Sequence, residues 1–396
     1  MSVWPSMRLD ECCEIIAGAT PSTSESTFWG GDVCWATPKD LSNLDGTFIS
    51  DTPRKLTAAG LQSCAASVLP AHSVLFSSRA PIGHVAINTV PMATNQGFKS
   101  FIPKAGRIVS EFLYWWLRYN RAYLESLGNG ATFKEVSKAI VSRVEIALPP
   151  LEEQRRIAAI LDQAETVRCQ RRAALAQLDS LTQSIFLDMF GDPVTNPKGW
   201  ARCSLGELIA EGPQNGLYKP STDYGSGTPI LRIDAFYDGV VTKLDSLKRV
   251  RLAATDVELF GLQPDDIVIN RVNSIEYLGK SALIPTLSEP TVFESNMMRF
   301  KVMRDQVDPR YVVQFLQTAY IKGQILSGSK NAVNQSSINQ QDVKGFRINV
   351  PPLPLQQTFA TRIQAIASLK TIHRTALAEL NALFASLQQR AFAGEL

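Results

Sequence analysis

The sequence predicts an α+β protein with an internal pseudo-two-fold repeat, in which two mixed domains are separated by a pair of long antiparallel helices. Three observations carry this. The second half of the 396-residue chain repeats the first. Two long stretches, 151–190 and 353–396, place apolar residues at helical spacing. Short apolar runs between turn residues fill the rest, at matching places in each half.

The repeat needs no gap through the helices. Ile146-Ala-Leu-Pro-Pro-Leu-Glu-Glu-Gln154 is matched 202 residues on (146 to 348) by Ile348-Asn-Val-Pro-Pro-Leu-Pro-Leu-Gln356. At that spacing Arg172, Leu175, Leu178, Leu181, Ser184 and Phe190 recur as Arg374, Leu377, Leu380, Leu383, Ser386 and Phe392. Solenoid repeats run about 20–50 residues, so this unit is a whole domain plus a helix. Near the start, Trp4, Leu9 and Glu11 match Trp200, Leu205 and Glu207 at a slightly shorter spacing, which implies insertions within the domains.

In order along the chain, residues 1–150 form a first domain. Its strands include Ser73–Ser77, His84–Asn88 and Phe98–Ile102, followed by an aromatic-rich helical segment, Glu111–Leu127. Residues 151–190 form the first helix, with a stripe of Ile157, Leu161, Ala164, Leu175, Leu178, Ile185 and Met189 broken by Arg168 and Arg171. A Pro-Pro pair precedes it, and Gly191 then Pro193 stop it. Residues 191–199 are a linker, and 200–352 a second domain with strands Asp266–Asn270, Lys280–Ile284 and Met298–Val302. Residues 353–396 carry the second helix, with Phe359, Ile363, Ile366, Leu377, Leu380, Phe384 and Leu387 broken at Lys370 and His373. Each helix is either a long core element of one globule or half of a pair. Matching stripes, lengths and spacing favour the pair. Antiparallel pairing would set the two domains apart, whereas parallel pairing would crowd them.

Composition narrows the class. Hydrophobic content of 45% and charged content of 19% describe an ordinary globular protein. No apolar run approaches a membrane span, and no signal peptide opens the chain. Six cysteines without a C-x-x-C pair, and three histidines, argue against structural zinc and fit a reducing cytoplasm. The net charge is +3, and each domain is near neutral: 13 Lys+Arg against 12 Asp+Glu in 1–150, and 18 against 17 in 191–352. Neither domain could hold DNA by charge alone, so such a role needs local patches or a partner's phosphate contacts.

No catalytic constellation is present. The chain lacks a G-x-x-x-x-G-K-[ST] loop and a G-x-G-x-x-G after a strand. Asn196-Pro197-Lys198-Gly199 lacks the aromatic fourth residue of an adenine-methyltransferase N-P-P-[YF] motif and reads as a turn. Pro264-Asp265-Asp266 has no following E-x-K and reads as a turn before a strand.

Phe76-Ser-Ser-Arg-Ala-Pro-Ile-Gly83, Thr94-Asn-Gln-Gly-Phe98, Leu148-Pro-Pro-Leu-Glu-Glu-Gln-Arg155 and the linker Met189-Phe-Gly-Asp-Pro-Val-Thr-Asn-Pro-Lys-Gly-Trp200, set in a two-fold repeat, resemble the specificity subunit of type I restriction-modification systems. The resemblance spans essentially the whole chain. It implies a non-catalytic DNA-binding subunit serving phage defence. Its two target-recognition domains would each read half of a split double-stranded DNA target. Its helices would act as spacer and dock two methyltransferase subunits, with restriction translocase-nuclease subunits as further partners. The chain itself would need no cofactor, the methyltransferase using S-adenosylmethionine. The alternatives are a helical scaffold without DNA, or the specificity part of a fused or type II-like methyltransferase system.

Bases are read by Arg or Lys on guanine and by Asn or Gln on adenine. In the first domain the candidates are Lys39, Ser77, Ser78, Arg79, Asn95, Gln96 and Lys134. In the second they are Asn215, Tyr218, Lys219, Arg232, Asn270, Arg271, Asn273, Asn334 and Gln335, with Lys248 and Arg249, beside Lys243 and Arg251, for phosphates. The competing reading makes Ser77–Arg79 a structural turn, Asn95 a strand cap and the basic cluster a solvated face. Val268-Ile-Asn-Arg-Val-Asn273 departs from the Ser-Ser-Arg-Ala-Pro form of the first domain.

Overall fold

The computed structural model describes residues 4–79, 81–129, 134–242, 244–328, 330–332 and 335–396. The chain divides into two compact units, Met1–Ala173 with Arg374–Leu396, and Ala174–His373. The division therefore falls inside both long helices, Leu151–Phe190 and Leu353–Ala393.

In the first unit a five-stranded sheet runs in the order Cys13–Ala17, Lys99–Pro103, Val74–Phe76, Val85–Asn88, Phe48–Ile49. A three-stranded sheet joins Lys55–Leu56, Trp29–Ala36 and Met92–Thr94. Ser6–Arg8 pairs with Glu145–Ala147 just before the first long helix. Val74, Leu75 and Phe76 are all apolar because both faces of their sheet are covered. Val74 and Phe76 join Phe112 and Trp115 of the helix Ser110–Tyr119, while Leu75 joins Leu69, Met92 and Phe98 on the other face. Of the aromatic residues on that helix, whose spacing suggests core, Trp115 is fully buried and Trp116 nearly so, but Tyr119 is 41% exposed.

The second unit repeats this plan. Its larger sheet runs Ile209–Asn215, Met297–Val302, Ile267–Asn270, Ser281–Leu283, Gly239–Val241, Phe236–Tyr237. Ile267 and Ile269 face the cluster under the helix Pro309–Leu316, and Val268 faces the opposite one. A three-stranded sheet joins Lys248–Val250, Tyr224–Leu231 and Val292–Phe293. Even the parallel pairs recur: Trp35 to Ala93 is echoed by Ile230 to Val292, and Ala36 to Thr94 by Leu231 to Phe293.

Each unit contains half of each long helix, and the halves are antiparallel. In the first, Arg156 Nη2 donates to the Leu396 carbonyl and Arg168 Nε to Asn381 Oδ1, so numbering falls on one helix as it rises on the other. In the second, Asp179 pairs with Lys370 at 2.7 Å, and Phe190 lies 5.2 Å from Phe359. The apolar seam is strongest away from the middle of each helix: Leu175 and Leu178 are half-buried, while Phe186 is 2% exposed against Tyr311, Phe315 and Phe359.

The helix and its sheet are fastened by one device used twice. Gln154 is fully buried; its Oε1 accepts the Val109 N–H at 2.9 Å and its Nε2 donates to the Arg107 and Pro149 carbonyls. Gln356, also fully buried, accepts the Asp308 N–H at 2.9 Å and donates to the Pro351 carbonyl. At the far end of the first helix, Lys198 Nζ donates to the Asp188 and Met189 carbonyls and Trp200 Nε1 to that of Phe190. These bonds satisfy carbonyls that a helix end leaves open. The Asn196 segment is a turn, its N–H donating to the Asp192 carbonyl. Among the described residues, no helix is long and apolar enough to cross a membrane.

Candidate nucleic-acid interface

Five loops of the first unit are tied into one rim. Asn95 N–H donates to the Ala36 carbonyl, which brings the 95–97 loop to the start of the helix Pro38–Ser42. Ser78 N–H donates to the Gly97 carbonyl, and the Val136 N–H to the Ser78 carbonyl. Ala19 N–H donates to the Thr94 carbonyl, and the Thr20 hydroxyl to Gln96 Oε1. The 18–20, 37–39, 77–79, 95–97 and 134–136 segments thus meet.

The second unit builds the same rim with the same backbone bonds. Glu294 N–H donates to the Leu231 carbonyl, Arg271 N–H to that of Asn296, Ile338 N–H to that of Arg271, and Leu217 N–H to that of Phe293. Gly83 and Gly279 donate to the carbonyls of Ser77 and Asn270 from left-handed backbone, φ +94° and +76°. A Cβ at either would meet Arg121 or Ile325 within 3 Å, so glycine is required at both. These bonds equate Ser77 with Asn270, Ser78 with Arg271, Arg79 with Val272 and Asn95 with Glu294. Arg271 therefore stands where Ser78 does, and the exposed Arg79 has an apolar counterpart.

The structure corrects part of the sequence reading. Ser77, Ser78 and Asn270 are 0% exposed and do not reach the surface. The Ser77 hydroxyl donates to the Pro81 carbonyl and accepts the His84 N–H, both at 2.8 Å, so it shapes the turn. Ser78 Oγ faces the Gly97 carbonyl and the buried Lys99 ammonium, which pairs with Glu135 at 3.1 Å. Asn270 directs its amide at the Tyr277 carbonyl. Asn95 is half-buried and its Oδ1 accepts the Gly97 N–H, as a cap does.

Lys39, Arg79, Gln96 and Lys134 are exposed on the first rim. On the second, Tyr218 is 77% exposed, while Asn273 is half-buried with its Oδ1 on the Ser274 N–H. Asn215 is exposed at the end of a sheet strand, and Lys219 pairs with Asp256 at 3.0 Å. Arg271 Nη1 donates to the Ser295 carbonyl. Lys248 and Arg249 lie on the strand Lys248–Val250, where Arg249 grips Glu289 and the Gly227 carbonyl. Arg251 Nη2 donates to the Thr222 carbonyl. Lys243 and Asn334, and the side chain of Gln335, lie outside the described residues.

Three groups in the second rim escaped sequence reasoning. Lys280 Nζ donates to the Ile233 carbonyl at 2.6 Å and lies 3.9 Å from the centre of the Tyr237 ring. Glu294 is 6% exposed; its Oε1 accepts the Ile233 N–H at 2.7 Å and its Oε2 lies 3.6 Å from Arg232 Nε. Burial pushes the Glu294 carboxyl up, against the opposing pull of the Ile233 N–H and the Arg232 guanidinium. Tyr224 lies under Arg232, 5.9 Å from ring centre to guanidinium. The signal for Glu294 was its equivalence to Asn95, which loops of unequal length conceal. Among the described residues, no three His, Cys, Asp or Glu side chains gather as metal ligands.

The family model for the type I restriction modification DNA specificity domain matches residues 1–176 and 197–382. The MjaIX specificity subunit of Methanocaldococcus jannaschii is 27% identical over 390 residues, covering 92% of this chain and 86% of that one. The EcoKI specificity subunit of Escherichia coli K12 is 25% identical over 294 residues, 70% of this chain and 63% of that one. Among solved structures, the S subunit of a type I restriction-modification system from M. genitalium aligns with TM-score 0.61 at 12% identity, covering 99% of this chain and 96% of that one. A chain from a study of assembly and conformational transition in a type I R-M system aligns with TM-score 0.58 at 21% identity, over 99% and 98%.

Proposed function

Since the chain belongs to the type I restriction-modification DNA specificity family, we propose that it reads a two-part double-stranded DNA target, one part with each rim, and docks methyltransferase subunits through its long helices. One observation carries this reading: the same loops are fixed by the same backbone bonds in both units, and their side chains differ. Backbone bonding fixes a surface without constraining what the surface presents. In this reading Lys39, Arg79, Gln96 and Lys134 of the first rim meet bases or phosphates, and in the second Tyr218, Arg232 and Asn273 do so, while Arg271 braces the Ser295 carbonyl. The chain reads and does not catalyse; methyl transfer from S-adenosylmethionine belongs to the partner, in the cytoplasm where the DNA lies. Restriction subunits join the same assembly.

Each domain is close to neutral, so counterion release supplies little affinity to the isolated chain. The chain alone therefore binds DNA weakly, and addition of the methyltransferase raises affinity greatly. Binding titrations on a DNA pool, with and without the methyltransferase, followed by methylation mapping, test this. A split motif methylated only when the chain is present supports the reading. A complex that assembles yet methylates no split motif overturns it and leaves a scaffold without DNA. The helices set the spacing of the two parts: four residues inserted in both, near Arg171 and His373, add about 6 Å to each. That insertion approximates a stutter that keeps the apolar seam, and the preferred spacer grows by one or two base pairs. An unchanged spacer would remove the helices as the ruler.

A further inference from the structure

The two rims differ most at one place. In the first unit, the residue after Ala36 is Thr37 and the loop residue bonded to Ala36 is Asn95. In the second, the residue after Leu231 is Arg232 and the loop residue bonded to Leu231 is Glu294. A hydroxyl and an amide are thus replaced by a guanidinium and a carboxylate on the same backbone scaffold.

The new pair is asymmetric. Glu294 is 6% exposed, and one carboxylate oxygen is held by the Ile233 N–H. Its other oxygen faces Arg232 Nε, which is itself buried and makes no hydrogen bond. The Arg232 side chain is 33% exposed although its Nε is buried, so part of the side chain reaches the surface while Nε faces the carboxylate. Tyr224 supports it from below, and Asp234 lies 3.9 Å from Nε. The neighbouring cations are engaged elsewhere. Arg271 holds the Ser295 carbonyl, Lys280 the Ile233 carbonyl, Lys219 pairs with Asp256, and Arg249 with Glu289. A guanidinium has five donors in a rigid fork, and two parallel ones match O6 and N7 of guanine when the plane is fixed. The Glu294 carboxylate at 3.6 Å from Nε, with the Tyr224 ring beneath the guanidinium, orients it electrostatically and leaves its other donors for the base.

We propose that Arg232, with Glu294 as its positioning residue, is the group by which the second unit selects a guanine, and that the first unit, with Thr37 and Asn95 in those places, makes no such selection there. This rests on the DNA-reading function proposed above.

The test uses the full chain assembled with its methyltransferase, with methylation mapping and binding titrations on the mapped site and its single-base variants. Arg232→Ala strands a buried carboxylate and so confounds folding with reading. Arg232→Lys keeps the charge but not the fork, and Glu294→Gln keeps an acceptor for the Ile233 N–H but not the ion pair. Both variants should assemble and melt like the wild type. Both should lose about tenfold or more of their discrimination at one guanine of the second half-site, with the first half-site unchanged. The proposal is overturned if the wild-type second half-site contains no guanine, or if either variant, folded and assembled, retains full discrimination. A wild-type complex that recognises no split site defeats the DNA-reading function itself, which separates that failure from this one.

Discussion

In the first unit a buried glutamine, Gln154, ties the long helix to the Val109 N–H; in the second, Gln356 ties the other helix to the Asp308 N–H at the same 2.9 Å. A few turns away the likeness ends. Ser78 becomes Arg271, Arg79 becomes Val272 and Asn95 becomes Glu294, although the bonds between the loops persist. Each long helix is tied to its unit by a glutamine side chain that is the same in both copies, while the rim loops are joined by main-chain bonds that recur whatever side chains the loops carry. Replacements at the rim consequently leave the frame intact, while replacements in the frame are felt by the whole unit.

The sharpest way to break this comparison is exchange. Replacing residues 1–150 with the matching part of a relative should alter one half of the recognised sequence completely and leave the other half untouched. Methylation mapping of the hybrid complex reads both halves at once. A simultaneous change in both would mean that the units do not read independently.

The frame should fail next. Gln154→Ala strands a buried N–H and two carbonyls, and Gln356→Ala an N–H and a carbonyl. Each should lower stability by about 2–4 kcal/mol, Gln154→Ala somewhat more, as read by chemical denaturation of the assembled chain. A loss confined to one of the two would show that the frame is not shared.

These contrasts explain how much was legible in the sequence. The long helices and buried strands announce themselves by periodicity and by the ungapped match of Gln154 with Gln356. The rim does not. The spacing between equivalent residues wanders from 193 at Ser77 and Asn270 to 202 at Val136 and Ile338, so sequence alone gives Asn95 no partner. Ser77, Ser78 and Asn270 looked like surface because they are polar, but tight turns use short polar side chains internally. Phe186, outside the heptad-like stripe, proved to be the aromatic anchor where the helices meet the second unit's core.

At the rim, Arg79→Ala removes an exposed guanidinium whose backbone is bridged to Glu135. Specific binding should weaken by about 1–3 kcal/mol, with relaxed choice at one base pair of the first half-site. The melting temperature should stay the same. A lowered one, with specificity kept, would make Arg79 part of the turn rather than of the reading surface.

The smallest effect should come from a place where the frame itself differs. Trp115 Nε1 donates to Asp162 Oδ1 at 2.8 Å, while the residue matching Asp162 in the second helix is the neutral Gln364. Burial holds the Asp162 carboxyl above its ordinary range, the Trp115 hydrogen bond opposing this only in part and Glu111 adding to it. A carboxyl raised by folding is favoured protonated in the native state, so its contribution is present at low pH and lost as the pH rises through the folded value. Asp162→Asn keeps an oxygen for the Trp115 N–H and removes the charge. The variant should melt slightly higher than the wild type at neutral pH, and this advantage should shrink as the pH falls through the carboxylate range. An advantage that stays constant with pH would trace the difference to packing, and a lower melting temperature at every pH would show that the charge strengthens the Trp115 bond by more than its burial costs.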